Sequence, residues 1–439
     1  MKYLSSLVLL MIVLTLLIPH LSIVEGEDHC TRLVFINAIF VKNSTYNGTL
    51  CLETPQNLTL GSISQRVYTI DTHGVWFDEQ QKCFAFNVSP GSVVEAYIVL
   101  VVEVCGVDQA LTQRLVASSL RNPASIKGPK EVPPDVMKKL SKYVGTVPTN
   151  VSRILLRDFR EWLAREGYDL DELPLLGRVV KAAQFIYLSG YIRYSPSPYP
   201  KTLEEVLENR SGDCDDMSRL LLALLWSMKV PAIMVHGYVV INGLNISIPI
   251  ENTTYRFYGC GPHAFVLSYV YPYGWISLDL LAYSWIVYPF VVESTTSSIT
   301  VNKTIVEEFR NLSKTIDALQ IFVIKRYEKN TDVNELVRRV TSELEQWGLG
   351  IRATHSCVTR TLSKSASRSV STTGLSLTST AILRSISTSL SCIHRSTRSG
   401  TNTIFRSSSS IDLRTGLLLI VASASMICMA WMLIRRRVR

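Results

Sequence analysis

Acidic residues are almost missing from the end of this 439-residue chain, where residues 351–439 hold 13 Lys and Arg against a single Asp. What residues 1–350 lack is a basic excess, with 32 Lys and Arg against 35 Asp and Glu. The net charge of +9 therefore resides wholly in the tail. A nucleic-acid enzyme gathers its cations on the folded region that grips phosphate, so no nucleic-acid partner is expected. The chain also lacks C-x-x-C ligand pairs. Cys260 and His263 make one pair without a second, which speaks against zinc. Asp213, Asp215 and Asp216 crowd together but lack the alternate acids, mid-loop Gly and closing Glu of an EF-hand loop. They read as acids that favour a helix N-terminus, and no metal or cofactor is expected. His73, His236, His355 and His394 have no partners in the sequence and read as surface or core histidines.

The two ends are apolar. Met1-Lys2-Tyr3 leads into an apolar run from Leu4 to Ile18 and a polar stretch ending Val24-Glu25-Gly26, the order of a secretory signal over residues 1–26. Residues 415–434 carry no charge, are about one bilayer core long as a helix, and run into the basic residues 435–439. Cations stay on the cytoplasmic side, so a single-pass cell-membrane protein is expected, with its body outside and its C-terminus cytoplasmic. These ends account for much of the mean hydropathy of +0.19.

Between them the composition divides the chain. Residues 27–106 hold Cys30, Cys51, Cys83 and Cys105 among β-branched runs such as Arg32–Val41 and Ala96–Val104, and read as a small β-rich domain with two disulfides in any of three pairings. Residues 107–174 read as a helical subdomain, with Ile154, Leu155, Phe159, Trp162 and Leu163 at helical spacing. A core over 175–290 combines helices at Leu176–Tyr191, Leu203–Glu208 and from Cys214 onward with strands at Ala232–Ile241, Ala264–Tyr271 and Trp275–Leu280. A helical extension is expected over 291–350. Residues 351–414 read as a stalk, because 29 of the 60 residues 351–410 are Ser or Thr and none is Asp, Glu or Pro. Ten Asn-x-Ser/Thr sequons, from Asn43 to Asn311, agree with a glycosylated exterior.

The chemistry-bearing segment is Arg210-Ser211-Gly212-Asp213-Cys214-Asp215-Asp216. Cys214 falls at a helix start, where unsatisfied N–H groups favour a thiolate, the nucleophilic form of cysteine. His263 opens the strand His263-Ala264-Phe265-Val266, and Gly274-Trp275-Ile276-Ser277-Leu278-Asp279 ends in an acid. Antiparallel pairing through a turn at 272–274 would bring His263 and Asp279 together, the carboxylate holding the imidazole while its other nitrogen takes the thiol proton.

These motifs resemble the transglutaminase-like superfamily, relatives of papain-type cysteine proteases. Tyr194–Leu207 is similar to the segment that enters the cysteine motif, and Val230-Pro231-Ala232 to the turn after the nucleophile helix. The likeness spans roughly residues 175–285. It implies an α+β fold with the nucleophile at a helix N-terminus packed on an antiparallel sheet, Cys214 as nucleophile, His263 as general base and acid, and Asp279 as orienting carboxylate. Phe265 and Leu280 stand where the family often has Trp and Pro. The backbone N–H of Cys214 is a candidate oxyanion donor. Cys260 could pair with Cys214 and silence it, pair with Cys357, or be an unrelated buried thiol. The expected function is a cell-surface cysteine peptidase or amidase, or an acyltransferase, acting through a thioester on an extracellular protein or peptide. The alternative is a non-catalytic surface binding or adhesion module.

Overall fold

The computed structural model describes residues 30–106, 109–281 and 290–327, together with residues 335, 338, 339 and 342. The expected signal, stalk, membrane segment and tail lie outside the described residues, and none of the described helices is long and apolar enough to cross a membrane.

The N-terminal part is built of β1 (Thr31–Ser44), β2 (Gly48–Leu52), β3 (Leu58–Leu60), β4 (Ile63–His73), β5 (Trp76–Asp78), β6 (Cys83–Val88) and β7 (Val94–Cys105). Helices α1 (Gln109–Arg121), α2 (Pro134–Leu140), α3 (Thr149–Arg165) and α4 (Leu175–Leu188) follow, then β8 (Arg193–Tyr194), α5 (Leu203–Asn209), β9 (Ser211–Gly212) and α6 (Cys214–Ser227). The chain continues through β10 (Ala232–Ile250), β11 (Thr253–Val270), β12 (Gly274–Ser277), β13 (Phe290–Thr296), α7 (Lys303–Thr315) and β14 (Ile316–Tyr327). The result is a mixed α+β fold rich in sheet.

The main sheet has nine strands in the order β13-β10-β11-β14-β1-β7-β4-β3, with β12 paired to β11. Of these pairs, β11–β14 is parallel. Helices α3 to α6 bury their apolar faces against one another and against β10 and β11, in a core that includes Phe159, Phe185, Leu221, Met234 and Val266. Helix α6 is buried nearly all round from Asp216 to Trp226, as expected for a helix at the centre of a layer. Its far end is pinned where Trp226 Nε1 donates to the carbonyls of Tyr143 and Ala232 at 2.8 and 3.1 Å.

The structure differs from two of the expected boundaries. Four of the strands of residues 27–106, β1, β3, β4 and β7, belong to the main sheet, where β1 pairs with β7 on one side and with β14 on the other. The cause is in β1 itself. Leu33, Phe35 and Ile39 face one core while Val34, Ile36 and Phe40 face another, so the strand needs neighbours at both edges and cover on both faces. The second difference is the helical extension expected over 291–350, where Phe290–Thr296 is found as β13 and Ile316–Tyr327 as β14. In β14 Ala318, Phe322 and Ile324 join one core while Ile321 and Val323 join the other, a period of two that a helical reading overlooked. Inside the sheet Gln320 Nε2 donates to Asn37 Oδ1 at 3.2 Å, and Asn37 Nδ2 donates to the Glu53 carbonyl at 3.0 Å.

Of the three disulfide pairings left open by the sequence, the structure has Cys30–Cys105 and Cys51–Cys83. The first ties the start of β1 to the end of β7. The second ties β2 to β6 in a separate three-stranded sheet, β2-β6-β5.

Candidate active site

Cys214 is the first residue of α6, and Asp213 before it caps the helix. Asp213 Oδ1 accepts from the Asp216 N–H at 3.2 Å, while Asp216 Oδ2 accepts from the Asp213 N–H at 3.4 Å. The turn that delivers Cys214 is held from outside. Arg210, in the left-handed conformation at φ 49°, stacks over the Tyr191 ring at 4.2 Å and donates to Asp158 at 3.1 Å. Tyr191 donates to the same carboxylate at 2.8 Å. Gly212 is required by close approach, because a Cβ there would lie 2.6 Å from the Asp216 Cβ.

Strand β11 supplies His263. Ser218, one turn along α6 from Cys214, donates to the Ala264 carbonyl at 3.1 Å and so fixes the helix against the strand beside His263. With the Ser218 proton committed there, Tyr187 donates to Ser218 Oγ at 2.9 Å. His263 Nε2 meets Asp279 Oδ2 at 2.6 Å, and Cys214 lies near enough to act on the same imidazole. With Nε2 taken by the acid, Nδ1 is left for the thiol. The structure thus brings together Cys214, His263 and Asp279, the three residues singled out in the sequence.

Burial alone would lower the His263 pKa. The charge and hydrogen bond of Asp279, helped by the hydrogen bond and charge of Cys214, instead lift it to about 10. The imidazole is 15% exposed and its carboxylate partner 1%. The Asp279 carboxylate, its other oxygen accepting from the Leu281 N–H at 3.0 Å, holds the ring in one orientation and favours its charged form.

Three further acids surround the nucleophile. Burial, the hydrogen bond to Asp215 and the nearby negative charges push Asp213 up to about 11, so it keeps its proton. Burial opposes ionisation of Asp215 too, but the Arg219 guanidinium, the Asp213 hydrogen bond and His236 overcome it and bring Asp215 down to about 2. Asp216 is pushed up by burial and by Asp215. Arg219 ties the group together at 2.6 Å from Asp215 and 2.8 Å from Asp216. These acids therefore burden the thiolate far less than three free carboxylates would. The sequence reading missed Arg219, Ser218 and the approach of His236 to Asp215. The first two were within reach of it, since they lie four and five residues after Cys214 on one helix.

Cys260 is a free, fully buried thiol in the core of Phe257 and Phe322, whereas Cys214 packs at the edge of the helical core. The two are not joined, and Cys260 reads as a buried core thiol.

Residues 171–280 match the family model of the transglutaminase-like superfamily. This stretch is a transglutaminase-like domain. It contains the helix-start cysteine, the β11 histidine and the acid after β12. No curated protein matches the chain. Among solved structures the chain is similar to a putative cysteine protease from Cytophaga hutchinsonii, with 12% identity, a TM-score of 0.40, and coverage of 69% of this chain and 92% of that one. It is also similar to the periplasmic domain of TgpA from Pseudomonas aeruginosa, with 13% identity, a TM-score of 0.23, and coverage of 56% and 86%.

Proposed function

We propose that the transglutaminase-like domain is a cysteine peptidase or amidase that cleaves peptide amide bonds through a thioester on Cys214. The observation that carries this reading is the convergence of Cys214 with the His263–Asp279 pair. Cys214 Sγ, its proton held by His263, attacks the amide carbonyl carbon and the carbonyl electron pair moves to oxygen. As that pair returns, the C–N bond breaks, and the imidazolium gives its proton to the departing amine. Water then attacks the thioester while His263 takes one of its protons, releasing a carboxylic acid and restoring the thiol. Acylation of an amine in place of water would use the same residues. The signal-like start, the sequons and the uncharged stretch at 415–434 support a location at the cell surface, where the substrate is an extracellular protein or peptide.

The test is hydrolysis of peptide amides by the full chain and by Cys214→Ala. The variant should lose at least about a thousandfold in kcat/KM, the scale set by removal of a nucleophile. Full activity in that variant would reject the assignment and leave a surface binding module as the reading.

A further inference from the structure

The mechanism above moves negative charge onto a carbonyl oxygen, yet only one donor for that oxygen has been placed, the Cys214 backbone N–H at the open start of α6. We infer that the hydroxyl of Tyr194 is the second oxyanion donor, a catalytic role that rests on the proposed acyl chemistry and goes beyond it.

The backbone brings Tyr194 to the site from twenty residues upstream. In the β8–β9 pair, Tyr194 lies beside Gly212, two residues before the nucleophile. Two bonds fix that register: Arg193 N–H to the Arg210 carbonyl and Ser195 N–H to the Gly212 carbonyl, both at 2.8 Å. The absence of a side chain at Gly212 lets β9 lie close against Asp216 in the first turn of α6. Tyr194 is half-buried and packs on the same helical core as Cys214.

Its hydroxyl is uncommitted. Tyr187 is bonded to Ser218 and Tyr191 to Asp158, but the Tyr194 hydroxyl makes no hydrogen bond among the described residues. The ionisable groups that act on it, after the effect of burial, are Cys214, Asp213, Asp215 and Asp279, and each pushes its pKa upward. The phenol therefore keeps its proton wherever the thiolate is active. A half-buried donor with no acceptor, set beside the nucleophile, is suited to an oxygen that becomes negative only during reaction.

In acylation the Sγ–C bond forms and the carbonyl π pair moves to oxygen. That oxygen accepts from the Cys214 N–H and the Tyr194 O–H, and the phenol retains its proton throughout. When the oxygen pair re-forms the carbonyl and the C–N bond breaks, both donors are released unchanged.

Two reagents separate this role from others in the full chain and its Tyr194→Phe variant, which keeps the ring. Iodoacetamide alkylates a thiolate at a CH2 group and needs no oxyanion donor. N-acetylglycinal adds reversibly to the thiol, forming a hemithioacetal oxygen where the oxyanion would lie, and protects Cys214 from alkylation. We expect alkylation rates of the two proteins to agree within about twofold, while the aldehyde concentration giving half-protection rises roughly 10- to 100-fold in Tyr194→Phe. Unchanged protection would overturn the inference. So would a parallel fall in alkylation, which would make Tyr194 a support for the thiolate or the fold. Failure of the wild-type protein to be alkylated at Cys214, or to be protected, would instead remove the peptidase reading and this inference with it.

Discussion

His263 and Asp279 meet diagonally across the β11–β12 hairpin. The register pairs Leu267 with Ser277 and Val270 with Gly274, so its continuation sets Asp279 opposite Phe265, two residues from His263. The side chains nevertheless close to 2.6 Å, because positions 263, 265 and 279 point to one face and Asp279 lies just beyond the last residue of β12.

Asp279→Asn should therefore cost activity without unmaking the hairpin. Losing the carboxylate removes the larger influences that raise the imidazole and leaves burial, which lowers it, opposed by Cys214 alone. An imidazolium that protonates the leaving amine is retained up to about pH 10 in the wild-type protein and lost at lower pH in the variant. The alkaline limb of kcat/KM should move down, and the maximum should fall about 10²- to 10⁴-fold. A pH profile with an unmoved alkaline limb would show that Asp279 does not govern the imidazole.

Arg219→Met tests the acid cluster. Arg219 is 4% exposed and faces Asp215 and Asp216, and a buried carboxylate deprived of its cation is strongly destabilising. A loss of about 3–5 kcal/mol in denaturant unfolding is expected. The double variant with Asp215→Asn should recover part of it, since the two changes act on one network.

The triad was legible because its residues sit in local motifs, a capped helix start and a short hairpin, whose geometry follows from neighbours in the chain. What escaped the sequence depends on contacts between distant segments. Residues 316–327 read as helix because they follow a true amphipathic helix, and only the parallel partner β11 and the antiparallel partner β1 make them a strand. The two disulfides could not be chosen from spacing, since Cys30 reaches Cys105 only through the β1–β7 register. Tyr194 likewise belongs to the site through a two-residue bridge to a segment eighteen positions away.

Because β1 joins the sheet that carries β11, damage at the N-terminus should reach the transglutaminase-like domain. Cys30→Ala with Cys105→Ala opens a link across 75 residues and should cost about 2–5 kcal/mol. A single thermal transition, shifted to lower temperature together with loss of Cys214 alkylation, is expected. Two separate transitions, with alkylation surviving the first, would mean that the N-terminal strands fold as an independent unit.

A second pair of acids sets a different pH dependence. Glu53, just after β2, and Glu293 on β13 line a cavity of about 30 Å³ together with Lys82, Cys83 and Ser294. Tyr238 on β10 donates to Glu53 at 3.0 Å. Burial and the charge of Glu293 push Glu53 well up, with the Tyr238 bond opposing them, and burial lifts Glu293 to about 8. Both carboxyls bind protons more tightly folded than unfolded. Each contribution to stability is full below the ordinary carboxylate value of about 4.3 and falls as pH rises, that of Glu293 being lost as pH passes through about 8. His263, raised to about 10, adds a loss in the same direction at higher pH, beginning above about 6.5. Glu293→Gln separates the two, because it keeps a neutral side chain of the same shape at every pH. Between pH 5 and 9 its melting temperature should fall less than that of the wild-type protein, exceeding it at pH 8 to 9 by roughly 3 °C or more. Parallel curves for the two proteins would mean that Glu293 ionises as freely in the fold as in the unfolded chain.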